Sequence, residues 1–224
     1  MKTFFKFLAL TSSVFAYSQQ TQSVNQAMGY EFLPTKSVTS NGKTLKYEDI
    51  KGSPYIDTSF KMAKIAENYE EVPIRYNNYK DEIEFKKGED IQVLPKKAEF
   101  SKITIKSPQT TIVYLETNDE LKGYFTQLVL GKTSLLRKDK TIFKDEVLAP
   151  NSYAEGKPAE FRSQDPVYYI ETGSSYIKKP KNQKDIIGAF PNLKDKINTF
   201  VKENKIKFNK EEDLKKLVVF LNQN

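Results

Sequence analysis

A change of period divides this chain. From residue 43 to about 179, apolar and polar residues alternate in short runs broken by turn residues; from 181 onward the apolar positions recur with helical spacing. Period-two alternation sends successive side chains to opposite faces of a strand, and short runs with frequent turns build antiparallel sheet. The chain therefore predicts an α+β fold, with an antiparallel β-rich domain over 43–180 and a small C-terminal α-helical appendage over 181–224.

The clearest hairpin spans residues 70–87. Val72, Ile74 and Tyr76 share one face, as do Ile83 and Phe85. A loop of Asn77-Asn78-Tyr79-Lys80 sets Ile74 opposite Ile83 and Val72 opposite Phe85. The same register faces Arg75 with Glu82, Glu71 with Lys86 and Glu70 with Lys87, and opposite charges across strands support it. Further strands are expected at 91–94, 100–105, 111–116, 123–130, 133–138, 141–145 and 167–171. A two-residue turn at Gly131-Lys132 pairs Leu128 with Leu135, and Asn118-Asp119 marks another reversal. Residues 148–164, with Pro150, Gly156 and Pro158, read as a loop over the sheet.

In the last third, Pro191-Asn192 opens a helix with Asn192 as cap, Asn204 as its close, and a stripe of Leu193, Ile197, Phe200 and Val201. Asn209 and Glu212 have capping-box spacing before a second stripe of Leu214, Leu217, Val218 and Leu221. A shorter helix is expected over 184–190.

The amino terminus reads as an export signal. Lys2 and Lys6 precede an apolar run from 7 to 16, and Ala16-Tyr17-Ser18 offers small residues before a cut, giving a signal peptide over 1–18, with Val14-Phe15-Ala16 as the alternative cut. The run is too short for a membrane anchor, which takes about 20 apolar residues. Residues 19–42, rich in Gln, Ser, Thr and Asn, read as a loosely ordered N-terminal arm. Loss of the signal removes two lysines and no acid, lowering the net charge from +7 to +5. The mature chain is thus expected outside the cytoplasm, periplasmic or at the cell surface.

Composition closes off much chemistry. With no His and no Cys, the chain has no Ser–His–Asp triad, no thiol nucleophile and no His or Cys zinc site. It forms no disulfide, so packing alone must hold it. No Asp-x-Asp-x-Asp-Gly calcium loop and no Gly-rich phosphate loop occurs, so no cofactor is expected. The basic charge is not a nucleic-acid signal. Only Arg75, Arg137 and Arg162 are arginines, and the lysines are scattered among acids.

Several segments together resemble a family of secreted proteins common in Bacteroidetes-type Gram-negative bacteria. They are Gly52-Ser53-Pro54-Tyr55, Val72-Pro73-Ile74-Arg75-Tyr76-Asn77, Asp81-Glu82-Ile83-Glu84-Phe85, Lys122-Gly123-Tyr124-Phe125, Ser134-Leu135-Leu136, Pro158-Ala159-Glu160-Phe161, Tyr168-Tyr169 and Glu211-Glu212-Asp213-Leu214. The resemblance covers nearly the whole mature chain. It implies export and the order of sheet before helices, and it assigns no catalytic residue.

Catalysis here would fall to Asp, Glu, Lys, Tyr or Ser. Asp57-Thr58-Ser59 has the pattern of an aspartic-protease half-site, but a second copy is needed and the chain has none, so a symmetric homodimer would have to supply it; ordinary turn composition is the preferred reading. A glycosidase-like carboxylate pair is the other option. Asp81 and Glu84 fall on opposite faces, while Glu82 and Glu84 share an outward face across from cations. Tyr124-Phe125 and Tyr168-Tyr169 each put rings on both faces of a strand, so Tyr124 and Tyr168 are candidate ligand-stacking residues beside Arg75 and Arg162. Together these features point to an exported, non-catalytic β-rich protein with a binding or structural role in the cell envelope. Its partner would be an envelope protein or glycan. A carboxylate-dependent envelope hydrolase is the alternative. A membrane-spanning barrel is disfavoured by the terminal helices and by charges on both strand faces.

Overall fold

The computed structural model describes residues 36–117, 122–149, 151, 153, 155–173 and 175–224. The expected signal segment, residues 19–35 of the expected arm, the Asn118-Asp119 reversal and Pro150 lie outside them. Fourteen strands are described. They are β1 (Ser37–Ser40), β2 (Lys43–Lys46), β3 (Lys61–Lys64), β4 (Glu71–Asn77), β5 (Glu82–Lys87), β6 (Asp90–Val93) and β7 (Lys102–Ile105), then β8 (Thr110–Leu115), β9 (Gly123–Val129), β10 (Thr133–Lys138), β11 (Thr141–Lys144), β12 (Glu160–Ser163), β13 (Val167–Thr172) and β14 (Tyr176–Lys178). Three helices follow: α1 (Gln183–Ala189), α2 (Lys194–Glu203) and α3 (Glu211–Asn222). The fold is the α+β arrangement expected, mostly antiparallel sheet with helices at the carboxyl end.

Asn77 sets the β4–β5 hairpin. Its side-chain oxygen accepts hydrogen bonds from the backbone N–H groups of Tyr79 (3.2 Å) and Lys80 (3.0 Å). Asp81 then closes the turn at φ +56°, a left-handed value that Asp tolerates better than most residues. The loop is therefore 78–81, and Ile74 pairs with Phe85, Arg75 with Glu84, Tyr76 with Ile83 and Asn77 with Glu82. The register read from the sequence is two residues away. An even displacement keeps every side chain on its face, so the hydrophobic pattern was blind to it. What changes is the partner of Arg75.

Ten strands form one antiparallel sheet in the order β14-β13-β10-β9-β8-β7-β3-β4-β5-β6. On its inner face Ala63, Val72, Ile74, Ile83, Phe85, Ile103, Ile112 and Tyr124 form one cluster, closed by Leu94 and Phe100 from the β6–β7 connection. Farther along the same face, Leu135 and Ile170 pack with Ile186, Ile197, Leu214, Leu217, Val218 and Leu221 of the helices. The helices thus share their core with the sheet.

At the Gly131-Lys132 turn, Leu135 pairs with Val129 and Leu136 with Gln127, so Leu128 is an extra residue in β9. The expected Leu128–Leu135 pairing is displaced by this bulge, which delivers both Leu128 and Val129 to the helix side. Asn222 of α3 takes the place of a strand neighbour there: its side chain accepts from Thr133 N and donates to Thr133 O, each at 2.8 Å.

Two pieces overturn local expectations. The 148–164 segment is not all loop, because it ends in β12, which pairs with β11. The arm expected to run to residue 42 contains β1, which pairs with β2 across Asn41 and Gly42, both at positive φ. These two small sheets enclose Tyr47, Ile50 and Phe161. Gly52 is required beside them: a Cβ there would stand 2.4 Å from the Phe161 carbonyl oxygen.

The helix caps also differ. Asn182 and Asp185 form a reciprocal capping box on α1. Asn192 sits inside a short 3-10 turn (Pro191–Leu193) and caps nothing, and α3 starts after Lys210 with no side-chain cap from Asn209. Asn204 does close α2, donating to the Phe200 carbonyl at 3.0 Å.

Candidate functional site

The most elaborate polar site is centred on Glu84, which is 2% exposed. β5 carries it to the outer face, opposite Arg75 on β4. Arg75 Nη2 and Nε donate to Glu84 Oε2 at 2.5 and 3.2 Å. Asn77 Nδ2 donates to Oε1 at 3.1 Å and the Tyr55 hydroxyl at 2.9 Å, while Lys36 Nζ stands 3.8 Å from Oε2. The Arg75 guanidinium lies 3.7 Å over the Tyr55 ring and 4.5 Å from the Phe60 ring centre. Burial pushes the Glu84 carboxyl up, but the Arg75 and Asn77 hydrogen bonds outweigh it and hold the group below its ordinary range. Burial likewise pushes the Tyr55 hydroxyl up, with the Glu84 charge adding to it. The site pins the 50–60 segment onto the sheet, and each of its charges is answered.

A second site ties the β4–β5 loop to β9 and β10. Lys138 is 4% exposed; its ammonium donates to Asp81 Oδ1 at 2.6 Å and to the Tyr124 carbonyl at 2.9 Å. Asp81 also accepts from Tyr124 N at 3.1 Å and from the Tyr76 hydroxyl at 2.6 Å, with Lys96 at 3.3 Å. A Cβ at residue 123 would overlap Asp81 Oδ2, so Gly123, at φ +124°, is the residue that lets the carboxylate approach. Desolvation lowers the Lys138 pKa against the raising effect of Asp81.

The remaining sequence candidates scatter. Asp57 heads an exposed turn, accepting from Ser59 N at 2.9 Å and pairing with Lys61 at 2.6 Å. Those hydrogen bonds, Lys61 first, hold its carboxyl far below the ordinary range, the opposite of a proton-sharing dyad. Arg162 is exposed, 3.5 Å from Glu160. Tyr124 is core, not a stacking platform, and its buried hydroxyl has no hydrogen-bond partner among the described residues. Tyr168 is half-buried and donates to Glu211 at 3.3 Å, where Arg137 also binds at 2.8 Å, so it helps seat α3. Of the candidates, only Arg75 contributes its side chain to one of these two polar sites, while Tyr124 joins the second through its backbone.

Sequence reasoning weighed Glu84 and Asp81 only as members of a carboxylate pair, and it singled out neither Tyr55 nor Lys138. Alternation marked Glu84 as outward, and nothing local shows that another segment covers that outward face. Glu82, on the same face as Glu84, is half-buried, and desolvation raises its carboxyl pKa. A groove of about 370 Å³ between α2 and α3 is lined by Asp195, Lys196, Thr199, Phe200, Glu203 and Phe220. Among the described residues there is no acid cluster suited to a metal ion, and no helix is long and apolar enough to cross a membrane. No protein-family model, curated protein or solved structure matches the chain.

Proposed function

We propose that the mature chain is an exported, non-catalytic protein of the cell envelope that works by contact, through binding or structural support. One observation carries this reading: Glu84, the most deeply buried carboxylate among the described residues, has both oxygens taken by a cation, a hydroxyl and an amide, and Asp81 is held in place by the buried Lys138, the Tyr76 hydroxyl and the Tyr124 N–H. A carboxylate serving as nucleophile or proton shuttle needs a free oxygen facing substrate. Export rests on the amino-terminal charge and apolar pattern and on the resemblance to secreted proteins. Cell fractionation with mass measurement tests it: a chain beginning after residue 18, outside the cytoplasm, is expected, and a cytoplasmic chain retaining Met1 refutes export. Complementation tests the rest. Glu82→Gln and Asp57→Asn are expected to restore a deletion strain fully.

One observation favours the carboxylate-hydrolase alternative. Glu82 and Glu84 lie two residues apart on one face with pKa values pushed in opposite directions, the pattern of an acid and its partner. Glu84 lies beneath Tyr55, however, and Arg75 occupies its oxygen. Loss of complementation by Glu82→Gln, with folding intact, would decide for the hydrolase.

A further inference from the structure

β6 ends the ten-stranded sheet, and among the described residues its backbone pairs with β5 alone. The ladder fixes which of its groups are left over. Leu94 N–H donates to Ile83 O at 2.8 Å. Hydrogen-bonded pairs recur at every second residue of an antiparallel ladder, so Gln92 faces Phe85, and Asp90 faces Lys87, in the same way. Ile91 and Val93 therefore turn both N–H and C=O away from β5, toward the open side. Their side chains lie on the outer face beside Lys86 and Glu84, and Gln92 lies on the inner face beside Phe85; all three are half-buried.

The opposite edge of the sheet is guarded. β14 is three residues long, Lys179 at φ +48° and the buried Pro180 follow it, and Ile177 packs under α1 with Ile186 and Ile187. Lysines, prolines and covering helices are what keep natural sheet edges apart. Neither Lys nor Pro interrupts Ile91-Gln92-Val93.

We propose that β6 pairs with the β6 of a second copy of this chain, antiparallel about a two-fold axis at Gln92, joining two ten-stranded sheets edge to edge. The strand is complementary to itself. With Gln92 opposite its own copy, Ile91 exchanges both backbone bonds with the partner's Val93, and Val93 with the partner's Ile91, so each edge-facing group of the two residues is satisfied. The outer faces coincide, which sets Ile91 against the partner's Val93, and the Gln92 amides meet across the axis on the inner face. Charge agrees with the pairing. The strand runs from Glu89-Asp90 to Lys96-Lys97, so an antiparallel arrangement lays the acidic end of each copy beside the basic end of the other. Glu89, Asp90 and Lys97 are exposed and form no ion pair among the described residues. A parallel pairing would set like charges together at both ends. The four residues of β6 fall far below the roughly 20–30 a side of a standard interface, so the dimer is weak and forms as concentration rises.

The absence of Cys makes the test direct, because Gln92→Cys in the mature chain introduces a single thiol whose disulfide can only join two copies. The two thiols would meet at a pair whose Cα atoms stand about 4.5 Å apart, within disulfide range. Under mild oxidation Gln92→Cys is expected to cross-link at least about ten times faster than Lys132→Cys, whose thiol sits on an exposed turn. Equal rates overturn the proposal. In sedimentation, the wild-type chain is expected to shift from monomer toward dimer between about 10 µM and about 1 mM. A chain that stays monomeric over that range overturns the proposal and gives the edge to a strand of a different protein. Val93→Pro removes an outward N–H and no bond to β5, and is expected to remain monomeric and folded. Ile91→Lys keeps every backbone bond, places a lysine on each edge and is expected to weaken dimerisation by at least about ten-fold. A dimer as strong in a folded Ile91→Lys chain as in wild type places the contact elsewhere and overturns the pairing.

Discussion

Replacing Asp81 by Asn removes one charge and keeps the shape. Asn tolerates the φ of +56° at this position and its carbonyl still accepts from Tyr124 N. What is lost is the one acid paired with Lys138 among the described residues, leaving a 4%-exposed ammonium beside the Phe125 ring and within reach of the like charges of Lys96 and Lys140. Removing one partner of a buried pair costs about 3–5 kcal/mol. At about 2–4 °C per kcal/mol for a chain of this size, the melting midpoint should fall by roughly 6–20 °C. Lys138→Met should cost less. Asp81 keeps Lys96 at 3.3 Å and is partly open to water, so it is not stranded when Lys138 goes. The double variant should therefore be more stable than Asp81→Asn alone, with a coupling of about 0.5–3 kcal/mol. Urea unfolding of the four proteins at pH 7 measures each term. An Asp81→Asn cost below about 1 kcal/mol, or a Lys138→Met cost exceeding it, refutes the asymmetry and with it the view that this lysine is held by one carboxylate.

Tyr124→Phe deletes a buried hydroxyl that has no partner among the described residues, so it should be neutral or stabilising by up to about 1 kcal/mol; a loss of more than 1 kcal/mol in thermal unfolding would show that the hydroxyl is bonded. Burial raises the Glu211 pKa, but hydrogen bonds from Arg137 and Lys215 depress it further, so the folded value lies below the unfolded one. Its contribution is present above the unfolded pKa near 4.5 and is lost as pH falls through the folded value. Wild type should then lose stability between pH 5 and 3 more steeply than Glu211→Gln, by up to about 1.4 kcal/mol per pH unit, and parallel urea midpoints for the two would sink this. Asn222→Ala unpairs both the N–H and the C=O of Thr133 and should cost about 1–3 kcal/mol, with hydrogen exchange accelerating first at Thr133; uniform acceleration along β10 would place the effect elsewhere.

The period of the apolar residues was enough to read the sheet and the helices, because burial acts on whole faces. The strands at 133–138 and 167–171 and the stripe Leu214, Leu217, Val218, Leu221 all appear where the pattern puts them. Short polar strands were invisible for the converse reason. β1 and β2 pair through backbone groups and carry little apolar signal, and β14, with Tyr176 and Ile177, is only three residues long and too short to show a period. Register is a different matter. Asn77 and Asp81 decide the β4–β5 loop by one side chain's hydrogen bonds and one left-handed φ, and a two-residue error leaves the apolar faces untouched. That small error hid the centre of the Glu84 site, since it gave Arg75 to Glu82. Lys138 was hidden more deeply. Its partner Asp81 is 57 positions away in sequence, and only the folded sheet brings them together.

Three such polar anchors join parts of the chain that are distant in sequence: Tyr55 to Glu84, Asp81 to Lys138, and Arg137 to Glu211, separated by 29, 57 and 74 positions. Buried ion pairs add little net stability over well-packed apolar side chains, because desolvation cancels most of the attraction. Their asymmetry is what matters. A two-residue slide of a strand keeps its apolar faces, but a slide at the Glu84 or the Asp81–Lys138 anchor leaves a charge buried alone. The anchors thus select one closure of the sheet, one seat for the 50–60 segment and one seat for α3. The same saturation that makes the Glu84 anchor selective leaves neither oxygen of that carboxylate without a protein partner.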